Sequence, residues 1–298
     1  MGWFDGFIKR RGGSEAEMSF LEHLEELRWH LIRSLLAIVL IGIVLFLNKS
    51  FIFDQVILAP KNPDFWTYRM MCKLGDLLHW KGLCTTEISF TLTNIDLSAP
   101  FMIHLQIAFI LGLVFMFPYI FWEFWKFIKP ALFEGEQKQA TGAVWAASIL
   151  FYAGVLFGYY FIVPFTVNFL GSYQVSAEVK NTINLSSYID TVTGLSLTCG
   201  LVFEFPLLIY FLAKAGLTTH EFLSQYRKMA LVVVLVAAAI ITPSPDMFSQ
   251  MLVAVPLYGL FEIGIIISRR VAINNERRRA RRNWKPWMSN RGSCLNLC

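Results

Sequence analysis

Apolar residues along this chain fall in long blocks, with the charges gathered between and beyond them. A helix rises about 1.5 Å per residue and the hydrocarbon layer of a bilayer is about 30 Å thick, so roughly 20 apolar residues cross it. Six blocks reach or approach that length: Leu31 to Phe53, Pro100 to Ile128, Gly142 to Leu170, Tyr188 to Lys214, Met229 to Thr242 and Met247 to Ser268. The pattern predicts an all-α integral membrane protein of six transmembrane helices. Residues 1–30 precede the spans, 54–98 form an extended outer loop, and 269–298 form a basic tail. The second block would be about 43 Å long as a straight helix and needs tilt, a kink or protrusion. The fifth would be only about 21 Å, which predicts local thinning of the bilayer beside it. Pro118, Pro164, Pro206 and Pro256 interrupt spans, and the bends they impose would give the bundle a concave face.

Polar residues just outside the blocks are unevenly distributed. Ser19-Phe20-Leu21-Glu22 fits a capping box, and Phe20, Leu24, Leu27 and Leu31 share one helical face. This predicts an amphipathic helix that lies on the membrane surface and runs into the first span. Its polar side carries Glu22, Glu25, Glu26 and Arg28, and the loop after the second span adds Glu134 and Glu136. Such acids can be solvated helix and loop surface. Alternatively, two separated carboxylates could each take a guanidinium in a bidentate pair, a geometry that lysine copies poorly. That arrangement would suit a receptor for a di-arginine ligand.

Composition supports the bilayer as solvent: of 298 residues, 56% are hydrophobic and 16% charged, against roughly 25% charged in soluble domains. The formal net charge of +5 matters through its placement. Basic residues cluster at both termini and in the loops after the second and fourth spans, so the positive-inside rule places both termini in the cytoplasm. Leu45 to Phe53 offers no small-residue cleavage site, so the first block reads as a retained span rather than a signal peptide. The pair Arg10-Arg11 reads as basic anchoring at the inner face. Five cysteines show no CxxC spacing and no histidine cluster, so neither a metal site nor a cofactor is expected. Cys72 and Cys84 share the first outer loop and could pair if it faces an oxidising compartment. The scattered histidines read as polar or interfacial residues, and no nucleotide-binding, metalloprotease or nucleic-acid signature is present.

A set of motifs in order along the chain carries a family resemblance. His23-Leu24-Glu25-Glu26-Leu27-Arg28 is followed by Ser98-Ala99-Pro100-Phe101, Phe117-Pro118-Tyr119 and Trp125-Lys126-Phe127-Ile128-Lys129-Pro130-Ala131-Leu132-Phe133. Then come Phe203-Glu204-Phe205-Pro206, Thr242-Pro243, Asp246-Met247-Phe248-Ser249-Gln250 and Phe261-Glu262-Ile263-Gly264. Together they resemble the TatC family, the multispanning receptors of the twin-arginine protein translocase, over most of residues 19 to 270. The resemblance implies a glove-shaped six-helix bundle of the bacterial cytoplasmic membrane that is not an enzyme. It implies binding of twin-arginine signal peptides of folded precursors, energy from the proton-motive force, and single-span partners of the TatA and TatB type. Membrane lipids and homo- and hetero-oligomers belong to the same expectation.

By motif, Glu26 and Glu136 match the family's signal-binding acids and Phe127 an aromatic at the cytoplasmic end of the second span. Glu204, mid-span, would meet polar groups of a partner helix; the competing reading is an internally hydrogen-bonded acid bracing the Pro206 kink. Thr242 and Gln250 would offer polar contacts to that helix. Pro60 and Asp246 have structural roles, Asp246 as a helix cap. Glu262 could pair with Arg269 or Arg270 through a bent connection. Glu123 stands where the family more often has an amide, so no role transfers to it. The long outer loop either docks a partner or covers the rim. A secondary transporter using intramembrane carboxylates is the alternative class, though the chain lacks the internal repeat usual for one.

Overall fold

The computed structural model describes residues 20–77, 90–128, 140–173, 176, 182–214, 218–242 and 247–294. In chain order these form α1 (Phe20–Leu47), a π-helical turn (Phe51–Ile57), a 3-10 turn (Ala59–Lys61), α2 (Trp66–Leu77), β1 (Thr91–Thr93) and α3 (Ala99–Ile128). There follow α4 (Ala140–Phe157), a π-helical turn (Gly158–Ile162), α5 (Val163–Ser172), β2 (Thr182–Asn184) and α6 (Leu185–Phe203). The remainder is α7 (Phe205–Lys214), α8 (His220–Gln225), α9 (Arg227–Ile241) and α10 (Met247–Cys294).

Among the described residues, five helical stretches are long and apolar enough to cross a membrane: Glu25–Leu47, Ala99–Phe127, Gly142–Ser172, Leu185–Lys214 and Ser249–Ile273. Large apolar side chains on their outsides, such as Leu40, Val44, Phe109, Trp145 and Val255, are exposed, as lipid-facing positions must be. The predicted fifth block is also helical, but α9 has 15 residues and is about 22 Å long. It therefore falls short of the other five. The front-end segment from Phe20 runs into the first span as one continuous helix, α1.

The prolines divide into two groups. Pro118 lies inside an unbroken α3, and α10 runs through Pro256 without interruption. Pro164 instead follows a π-helical turn, and Pro206 follows a break at Glu204 that separates α6 from α7. At that break the Glu204 carbonyl accepts from the backbone amides of Leu207 and Leu208, both at 3.0 Å. The backbone itself thus closes the joint that the proline opens.

Two close approaches set the bundle. α1 and α3 run antiparallel, with Phe46 stacked on His104, Gly42 beside Ala108, Ile38 beside Gly112 and His30 bonded to Glu123. A Cβ at Gly112 would lie 2.9 Å from the Ile38 carbonyl oxygen, so only glycine permits this spacing. α4 and α6 meet similarly at Gly154, where a Cβ would come 2.6 Å from the Cys199 carbonyl oxygen.

The largest buried cluster includes Ile57, Ile107, Ile162, Ile189, Val192 and Leu257. It sits toward the end of the bundle where α3 begins. Beside it β1 and β2 pair in parallel, Thr91 opposite Thr182, tying the two long loops of that end together. The first loop is anchored by hydroxyls. Tyr68 Oη lies 3.1 Å from both the Pro60 and Pro164 carbonyl oxygens, Tyr188 donates to Ile57 at 3.0 Å, and Thr67 donates to Tyr160. Burial pushes the Tyr68 phenol above its usual range, so it stays a donor. This part of the loop is tied to the π-helical turn and the start of α5, and Pro60 is a buried acceptor.

Candidate functional site at the ends of α1 and α3

Glu26 lies on α1, partly exposed, with no ion-pair or hydrogen-bond partner among the described residues. One turn further along the same face stands His30. Its Nδ1 is 2.6 Å from Glu123 Oε2 on α3, and its ring meets that of Phe127 edge-on, with centroids 6.5 Å apart. From Phe46–His104 through Gly42–Ala108 to Ile38–Gly112 the pairing steps four residues on each helix, and from there to His30–Glu123 it advances eight on α1 and eleven on α3; Phe127 lies one turn beyond Glu123 and Glu26 one turn beyond His30. Two expected site residues, 101 positions apart in sequence, therefore share one end of the helix pair. Glu136 and Asp246 lie outside the described residues.

Glu123 is the feature that sequence reading missed. It is 2% exposed, and its second oxygen accepts from Lys126 Nζ at 3.1 Å. The same ammonium lies 3.3 Å from the centroid of the Trp122 ring, a cation–π contact. Tyr119, one turn earlier, faces the same carboxylate, and Arg33 of α1 faces Tyr119. The signal in the sequence was a charged residue within the aromatic run 121–125; its partner on α1 is not readable from spacing.

Glu204 is placed at the α6–α7 break. Both carboxylate oxygens are buried without a hydrogen-bond partner among the described residues, and a backbone group of Phe151 lies close without reaching bonding geometry. Hydrogen bonding by this side chain therefore does not brace the kink, because the backbone bonds already do. Thr242 is buried and donates to the Ala238 carbonyl at 2.9 Å, while Gln250 donates to the Leu235 carbonyl at 3.1 Å. Both donors are engaged on α9. Glu262 departs from expectation: it pairs with Arg227 at 3.2 Å and accepts from Tyr258 Oη at 3.1 Å. Because α10 continues as one helix, Arg269 and Arg270 stand about two turns away along it, whereas the start of α9 packs alongside. Cys72 is disulfide-bonded and Cys199 is free and buried; Cys84 lies outside the described residues.

These features define a multi-pass membrane protein with charged side chains gathered at one end of the α1–α3 pair. A family model described as TatC, the Sec-independent protein translocase protein, matches residues 22–256, and the chain belongs to that family. It is 42% identical over 254 residues to the TatC of Blattabacterium sp. subsp. Periplaneta americana, covering 85% of this chain and 95% of that protein. It is 33% identical to TatCy of Bacillus subtilis over 85% of this chain and 89% of that protein. Among solved structures, a crystal structure of the twin-arginine translocase receptor TatC superposes with a TM-score of 0.63 at 29% identity. That match covers 84% of this chain and 100% of the other. The chain is thus a component of the Sec-independent protein translocation machinery, a transport protein.

Proposed function

We propose that this chain is the signal-peptide receptor of a twin-arginine translocase. An arginine pair docks on Glu26 and Glu136, beside Phe127, at a cytoplasmic face that also holds both termini. α9 counts as a sixth, short span, and the six form a glove-shaped bundle. The apolar part of the signal follows the concave side toward Glu204. There the buried, unpaired carboxylate receives a polar group from the helix of a TatA- or TatB-type partner, near Thr242 and Gln250. The proton-motive force supplies the energy. Asp246 caps the start of α10, and Cys72 pairs with Cys84.

One observation carries the reading: Glu26 and Phe127 each lie one turn beyond the His30–Glu123 contact at the end of the α1–α3 pair, and Glu26 has no ion-pair partner among the described residues. A guanidinium gains a bidentate, charge-assisted pair with such a carboxylate and stacks on an aromatic face, which an ammonium does less well. The test is binding of Arg-Arg and Lys-Lys signal peptides to the protein in nanodiscs, with Glu26→Ala and Glu136→Ala. Arginine-selective binding weakened about 30-fold or more by either change is expected, the loss of a close charge pair. Equal binding of both peptides, insensitive to both substitutions, would overturn the receptor role and return the transporter reading.

A further inference from the structure

The cluster of Glu123, His30 and Lys126 is not explained by the receptor reading alone. A carboxylate that is 2% exposed at the end of a span is strongly unfavourable unless both oxygens are met. Here one is met from α1, by His30, and the other from its own helix, by Lys126. The acid is satisfied only when α1 holds one rotation and one height against α3. Turning α1 by a single residue swings it about 100° and withdraws His30 from Glu123. Glu26, on the same face as His30, would turn away with it. Phe127 stands one turn beyond Glu123 on α3 and touches the His30 ring, so it too is tied to this level.

The cluster has a second consequence. Lys126 is the cation nearest this acid, and Glu123 with the Trp122 ring keeps its ammonium in place. Held there it is paired with Glu123, and Glu26 has no ion-pair partner among the described residues. Among the described residues, the charged or titratable groups that face Glu123 from α1 and α3 are His30, Lys126 and Tyr119, with Arg33 behind Tyr119.

We propose that Glu123, through His30 and Lys126, is a positioning residue for arginine recognition: it fixes the orientation of Glu26 relative to Phe127 and holds a competing lysine off the site. The proposal rests on the receptor reading and deepens it. Its mark is selectivity. A bidentate guanidinium pair depends on orientation, whereas attraction of an ammonium depends mainly on charge. Loss of positioning should therefore reduce arginine binding while leaving lysine binding nearly intact.

The experiment measures binding of Arg-Arg and Lys-Lys peptides to the full chain in nanodiscs, for wild type, Glu123→Gln, His30→Gln and Glu26→Ala, with melting curves to show that each is folded. The expected result is that the Arg-Arg to Lys-Lys preference falls about tenfold in Glu123→Gln and in His30→Gln, with Lys-Lys affinity changed less than about twofold. A folded Glu123→Gln or His30→Gln with the wild-type preference overturns the proposal. If Glu123→Gln does not fold, His30→Gln decides by the same ratio. Wild type without arginine preference, or Glu26→Ala without effect, would instead sink the receptor reading and this inference with it.

Discussion

The two ends of the bundle hold their helices together by different means. Where α3 begins, uncharged hydroxyls of Thr67, Tyr68 and Tyr188 donate to backbone carbonyls above the largest apolar cluster, and a two-strand pairing joins the loops. Where α3 ends, the apolar clusters are small, centred on Trp125 and on Phe261, and the contacts are ionic: His30, Glu123 and Lys126 on one side, Arg227 and Glu262 on the other. Neutral hydroxyl bonds fix loops without leaving charge for a ligand. Ionic contacts fix helices, and a neighbouring acid, Glu26, has no ion-pair partner among the described residues.

The contrast can be broken most severely at Gly112, whose contact with Ile38 lies between the two ends. Gly112→Leu should part α1 from α3, destabilising by about 3 kcal/mol, seen as a lowered melting temperature in detergent and loss of peptide binding together. A smaller change sharpens the picture at the hydroxyl end. Tyr68→Phe leaves the Pro60 and Pro164 carbonyls without their donor and should lower stability by about 1 to 2 kcal/mol, with peptide binding unaltered; altered arginine selectivity in that variant would show that the ends are not independent. The smallest effect is expected at the exposed pair on the ionic end. Arg227 is 48% exposed and Glu262 32%, so Arg227→Gln should shift stability by no more than about 1 kcal/mol, an amount that added salt should remove.

Much of this architecture is local, and local features are readable in a sequence. Block length gave the spans, and the short fifth block appears as the short α9. Pro206 marked a real break and Pro164 a real distortion, yet Pro118 and Pro256 did not interrupt their helices. The same residue differs between sites because a missing amide hydrogen bond can be absorbed by packing in one place and not in another. The site was legible in part. The acidic motif around Glu26 and the aromatic at Phe127 stood out, but Glu123 had no assigned role and Glu262 was matched to the wrong arginines. Those two acids find partners across helix pairs, and no periodicity records which helices are neighbours.

By itself, the sequence determined that the chain is a bundle of membrane-spanning helices, which family its motifs follow, and which acids lie just outside the spans, because hydrophobic length and short motifs are properties of contiguous residues. Only the tertiary structure decided that His30 meets Glu123 at 93 residues' separation, that Tyr68 lies between Pro60 and Pro164, and that β1 runs beside β2. Each of these contacts depends on the rotation and height of one helix or loop against another. That choice is set by close approach at Gly112 and Gly154 and by satisfying buried polar groups, and neither can be read along a single segment.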